Sequence, residues 1–296
     1  LAKMGADPLD LRAKFPTLIL ASHKGFLEGP YKDRTAMDEV VQMMTGLAYM
    51  TGPTGRPLRF GSSAIDIFGG LFGAFAAMGA LMERQNSGKG RDIRVGLFES
   101  GLLFAAQHMV QYELEGTSPP PMPERDFSWP IYDIMETADG RQIVVGAVTE
   151  GQWDALCGYL GLDELLADER LQSRMDQINA RSWTIPIVEK AIGERNYRQL
   201  LEDFENLGIP FSPINKPSEL FEDPHVLRDG GLVQSNMADG RTFRAPALPF
   251  QIDGRMMSAS GDLPSIGQET KRILSELGLS EAEIEAARGP LTAAAE

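Results

Sequence analysis

From Ile67 to Met82 the chain runs for sixteen residues without a charge, and Gly or Ala recurs along the run. Such a pattern predicts a buried helix whose small residues let other backbones come close. Upstream, the short apolar run Thr17–Ser22, bounded by Pro16 and the loop at His23, predicts a strand. A loop over residues 23–34, with Gly25, Gly29 and Pro30, leads to a helix over 36–50 that Gly52 and Pro53 stop. After the apolar helix, Asn86–Arg91 reads as a tight turn, Asp92–Phe98 as a strand and Glu99–Leu114 as a helix. Strand, helix, helix, strand, helix is the order of an α/β layer.

The texture changes after Thr117–Pro123, a proline-rich, stiff and extended linker. Residues 131–137 and 142–148 form a hairpin around Ala138–Arg141, and helical patterns follow near 150–160, 180–193 and 196–206. This predicts a second, smaller α+β unit closing near Asp223–His225. A further hairpin turns at Ala238–Arg241. The chain then ends in a helix near 268–277 and the start of another at Ser280–Glu283.

Of 296 residues, 43% are apolar and 24% charged, which excludes a disordered chain. A formal charge of −14 argues against nucleic acid or an anionic membrane as the general partner. The uncharged run is shorter than the roughly 20 residues a membrane helix needs. A single cysteine, Cys157, cannot form an internal disulfide and fits a reducing, cytoplasmic setting. No basic segment followed by an apolar one opens the chain, so no signal peptide is expected. Leu1 and its neighbours read as a domain already in progress.

Candidate chemistry narrows by elimination. His23, His108 and His225 lie far apart and a lone cysteine offers no zinc spacing, so no metal is expected. No glycine-rich loop follows a strand in the order a dinucleotide or triphosphate needs, and no serine sits in a nucleophile elbow. Carboxylates remain. Asp66 stands where a Gly-, Pro- and Ser-rich loop meets the apolar run, near a helix N-terminus. There it is expected to face free backbone N–H groups and the positive end of the helix dipole.

Ser22–Phe26, Gly29-Pro30-Tyr31, Arg34, Asp38, Gln42, Gly46-Leu47, Thr51-Gly52, Asp66 and Gly69-Gly70 follow in a set order. Glu83-Arg84, Gly88–Arg91, Glu99, Ala138-Asp139-Gly140, Gly208-Ile209-Pro210 and Asp223-Pro224-His225 continue it. In that order and spacing the chain resembles the family III CoA-transferases, the CaiB/BaiF group, over nearly all its length. The resemblance implies a Rossmann-like parallel-sheet large domain over residues 1–125, a smaller inserted α+β domain over 126–224, and a return to the large domain over 225–296. It implies CoA transfer between an acyl-CoA and a carboxylic acid, with Asp66 as the covalent nucleophile. It also implies CoA contacts from Thr35, Ala36, Met37 and Asp38, and an interlocked homodimer. CoA enters as substrate, and no bound cofactor is implied. Gly69 and Gly70 are candidate donors to a developing oxyanion. Lys32 and Arg34 suit phosphates by charge.

Against the family pattern, the N-terminal third is missing. From that follow the expectations of poor solubility and weak CoA affinity, with an inactive relative that only binds or dimerises as one alternative. The racemases of the family carry His before the acid equivalent to Asp38. Met37 stands there, which disfavours the other alternative, a racemase or isomerase. Relatives acting on formyl and oxalyl groups carry a glycine-rich loop where this chain has Glu124–Trp129. Arg125 is instead a candidate partner for the far carboxylate of a dicarboxylic acid.

Overall fold

A computed structural model describes residues 7–125, 128–237, 239–258 and 261–288. They fall into two compact units divided between Ser128 and Trp129. Asp126, Phe127 and Ala238, three residues of the expected loop and hairpin, lie outside the described residues.

The first unit opens with α1 (Pro8–Lys14), capped by the Asp7 carboxylate on Leu9 N–H, and β1 (Leu20–Lys24). Helices α2 (Asp38–Met44) and α3 (Leu47–Thr51) follow. The sequence predicts one helix over 36–50. Gly46 breaks it by adopting a left-handed φ of 85°, a conformation glycine enters without the steric cost of a side chain. Next come α4 (Ala64–Ser87), β2 (Asp92–Gly96) and α5 (Leu97–Glu115). β1 and β2 pair in parallel, Leu20 opposite Asp92 through Lys24 opposite Gly96. The α2–α4 crossover separates them, as a parallel pair requires.

Helix α4 is not the buried rod its apolar run predicts. Its covered residues are Ile65, Gly69, Gly73 and Ala80. Ile67, Leu71, Phe75, Met78 and Met82, spaced at helical intervals, are 62–73% exposed. Gly69 and Gly73 face inward, and at Gly73 a neighbour comes too close for a side chain. A Cβ on Gly73 would lie 2.6 Å from the His23 ring, and one on Gly69 would touch Leu97 and Ser100. A run apolar all round has no polar stripe to say which face is covered. At 24 residues α4 is also long and apolar enough to cross a membrane, by length and composition alone; its glycine face packs on β2 and α5.

The second unit carries β3 (Ile131–Glu136) and β4 (Gln142–Ala147), turning at Gly140 as the sequence predicts. Helices α6 (Glu150–Leu160), α7 (Asp163–Leu166), α8 (Arg174–Asn179), α9 (Arg181–Gly193) and α10 (Tyr197–Leu207) follow. β5 (Phe211–Pro213) then completes a three-stranded antiparallel sheet in the order β3-β4-β5. Trp153, Leu156, Val188, Ile192, Leu200 and Phe204 are buried with Ile143 and Val145 of β4, and they form the unit's core. Thr149 and Gln152 start α6 with a reciprocal capping box. Two hairpins, β6 (Leu232–Asn236) with β7 (Thr242–Pro246) and β8 (Gln251–Ile252) with β9 (Arg255–Met256), precede α11 (Thr270–Glu276) and α12 (Glu281–Arg288).

Candidate active site

The first turn of α4 is built by α2. Asp38, first residue of α2 and 7% exposed, turns its carboxylate onto α4. Its Oδ2 accepts the backbone N–H groups of Ile65 at 2.8 Å and Asp66 at 3.0 Å. Its Oδ1 accepts from Gln42 Nε2 at 2.5 Å. One turn along α2, Gln42 also donates to Ser62 O at 3.3 Å, and its Oε1 accepts Phe60 N–H at 2.7 Å. The N-cap residue Ser63 makes no side-chain cap. Ala64 N–H goes to Ser62 O and Ile67 N–H to Ser63 O.

Every backbone donor of that turn therefore has a partner. Asp66 does not face the free N–H groups expected of it, because Asp38 takes them. Its own carboxylate, on the third residue of α4, is exposed and has no hydrogen bond or ion pair among the described residues. What the helix offers Asp66 is the field of its dipole.

Gly69 and Gly70 lie in the second turn, where backbone N–H groups bond back four residues. They have no free donor for an oxyanion. Gly69 instead packs beside the start of α5, at Leu97 and Ser100.

Thr35, Ala36 and Met37 lead into α2, Met37 with an extended backbone, and Thr35 and Met37 are exposed. Gly25 lets this stretch approach, since a Cβ there would lie 2.3 Å from Ala36 Cβ. The loop between is held by the aromatic trio Phe26, Tyr31 and Phe98 and by the Glu99 carboxylate on Leu27 N–H. Of the four residues expected to contact CoA, Asp38 points into the protein, Thr35 and Met37 are exposed and Ala36 is half-buried. Arg34 rests over the Tyr31 ring and Lys32 pairs with Glu28.

Arg125 donates from Nε to Pro120 O at 3.2 Å and from Nη2 to His108 Nε2 at 3.0 Å. A guanidinium only donates, so His108 carries its proton on Nδ1. Burial, reinforced by the Arg125 charge, holds the His108 pKa below the ordinary imidazole value. Two of five guanidinium N–H groups are engaged in these bonds.

The sequence profile of CoA-transferase family III matches residues 1–270. The chain belongs to that family.

Among curated family III relatives, the succinate–glutarate CoA-transferase of Agrobacterium fabrum is 30% identical over 94% of this chain and 70% of its own length. The mouse succinyl-CoA:glutarate CoA-transferase is 29% identical over 94% of this chain, which spans 64% of that protein. A CaiB/BaiF family protein from Brucella suis has a solved structure that superposes with a TM-score of 0.83 at 28% identity. That match covers 94% of this chain and 72% of the other. The mixed α/β architecture with its parallel pair is that of family III.

Gln42 enters the sequence reading only as one residue of the family pattern. Its spacing of four from Asp38, which puts both on one face of a helix, is the signal that links them.

Proposed function

We propose that this protein transfers CoA between an acyl-CoA thioester and a dicarboxylic acid, with Asp66 as the covalent nucleophile. The observation that carries the reading is the Asp66 carboxylate, exposed and without a partner among the described residues, at the head of α4 in a family III chain. The names of the bacterial and mouse relatives support a dicarboxylic substrate.

In this reading an Asp66 oxygen attacks the thioester carbonyl, the C–S bond breaks and CoA thiolate departs. A thiol with pKa about 8.5 makes a good leaving group. The thiolate then attacks Cγ of Asp66 in the mixed anhydride, releasing the donor acid and leaving an aspartyl-CoA thioester. The acceptor carboxylate attacks that thioester and the same steps run in reverse, regenerating the Asp66 carboxylate. Each step exchanges one activated carbonyl for another, so no separate activation is required. Thr35, Ala36 and Met37 flank the CoA. Arg125 offers its remaining donors to the far carboxylate. A homodimer in the cytoplasm belongs to the same proposal, supported by the family resemblance and by the buried, unpaired Cys157.

The test is Asp66→Asn with succinyl-CoA and glutarate, the pair named in the relatives. Loss of transfer by more than about 1,000-fold is expected. In the unmodified protein, hydroxylamine added with acyl-CoA should place a hydroxamate on Asp66, read by peptide mass spectrometry. Near-normal transfer by Asp66→Asn rejects the proposal.

A further inference from the structure

We infer that Asp38 and Gln42 form a positioning pair that fixes Asp66 from a neighbouring helix and leaves its carboxylate free of hydrogen-bond donors. The inference rests on the reading of Asp66 as nucleophile.

The helix N-terminus is capped from outside. A local cap is at hand, since Ser63 occupies the N-cap position, yet its side chain makes no cap bond. The cap is a carboxylate 27 and 28 residues away in sequence from the amides it receives. Burying a charge costs free energy that a serine hydroxyl on the surface would not. The buried arrangement does more than a local cap. Gln42, 1% exposed, has both amide hydrogens and its oxygen engaged. Ser62 O, held by Gln42, also receives Ala64 N–H. Two side chains of α2 thereby fix the backbone at residues 60, 62, 64, 65 and 66. A first helical turn otherwise frays.

The chemical effect follows from which carboxylate takes the donors. A carboxylate that accepts two N–H bonds is stabilised as an anion and made a weaker nucleophile. Asp38 takes both bonds, and Asp66 stays aligned and bare. Two carboxylates on one helix end thus have opposite roles set by their surroundings. Asp38 touches no reacting atom and acts through the backbone of residues 65 and 66.

The test compares Asp38→Asn and Gln42→Leu with the unmodified protein and with Asp66→Asn. Asparagine keeps the shape and one acceptor oxygen, but it sets an NH₂ group against the Gln42 amide. For both positioning variants kcat should fall roughly 10- to 100-fold, the effect of a small misplacement of a reacting group. The KM for acyl-CoA should stay within about threefold, since the binding residues are untouched. Amide hydrogen exchange at Ile65 and Asp66 should accelerate, with the circular dichroism spectrum unchanged. Folded variants with lost amide protection and normal kcat would overturn the inference. So would unprotected Ile65 and Asp66 amides in the unmodified protein, a readout that needs no variant to fold. If Asp66→Asn itself retains transfer, the nucleophile reading fails instead, and the exchange data still report on the pair.

Discussion

The Arg181 guanidinium closes on the Asp133 carboxylate, Nη2 lying 2.9 and 2.8 Å from its two oxygens. Nη1 of the same side chain donates to the carbonyls of Trp129 and Pro130. One group on α9 thus ties the first residues of the second unit and β3 together. Both side chains are largely buried, at 11% and 19% exposure. Removing one partner of such a pair leaves the other charge uncompensated. Arg181→Met should cost about 3 kcal/mol, while the double change Arg181→Met with Asp133→Leu should recover much of it. Urea unfolding of the two proteins measures the difference. Equal loss in single and double variants would show that the pairing itself is not what matters.

Gly52 supports the loop that leads to Asp66. A Cβ there would lie 2.2 Å from Arg56 O and 2.6 Å from Leu58 N, both backbone atoms that cannot swing aside. Gly52→Ala should therefore destabilise by about 1–3 kcal/mol through overpacking. Gly55→Ala is the contrast, since nothing lies within 4 Å of that Cβ and only the positive φ of 75° opposes it. Thermal unfolding of both variants checks the order, and a milder effect at position 52 than at 55 would refute it.

Tyr159 sets an alkaline limit. Burial, then its hydroxyl bond to Asp203 at 2.5 Å, pushes the phenol up to about 12 from an ordinary value of 10.0. The raised folded pKa means the proton is held more tightly in the native state. The stability this gives is complete below about pH 10 and is lost as pH rises through about 12. Tyr159→Phe should lower stability at neutral pH by about 1.5–3 kcal/mol, the worth of a hydrogen bond to a charged acceptor. It should also flatten the decline at high pH. Denaturant midpoints at several alkaline pH values read both effects, and parallel curves would contradict the assignment.

Met37, N-cap of α2 and 59% exposed, has no group able to move a proton. A chiral 2-methylacyl-CoA incubated with the protein in heavy water is expected to keep its α-proton. Deuterium appearing at that carbon at a rate comparable to turnover would point to isomerase chemistry.

The sequence was most legible where pattern and partner are local. The turn around 138–141 and the helical patterns near 150–160 and 196–206, observed as α6 and α10, all follow from spacing within a dozen residues. Legibility failed where a distant group decides. The break at Gly46 looks like any glycine in a helical pattern. The first strand, predicted at 17–22, starts at Leu20 and runs to Lys24 because its partner β2 sets the register. Which face of α4 is covered depends on His23, Val95 and Ser100, and no periodicity within α4 names them. The free amides expected near Asp66 are taken by Asp38, which stands on another helix 27 and 28 residues away in sequence.

The ridge of Ile67, Leu71, Phe75, Met78 and Met82 makes the protein's behaviour in solution a contest between adhesion and repulsion. Each such side chain left in water forgoes on the order of 1.5–3 kcal/mol of burial free energy. Against that, a net charge of −14 keeps molecules apart. The two forces respond differently to salt. Repulsion fades beyond a Debye length of about 10 Å at 0.1 M ionic strength, whereas sulfate or phosphate strengthens the attraction between apolar surfaces. Ionic strength is therefore a variable that acts on both forces, and buffers of low salt content and pH well above the isoelectric point near 4.8 favour dispersed molecules.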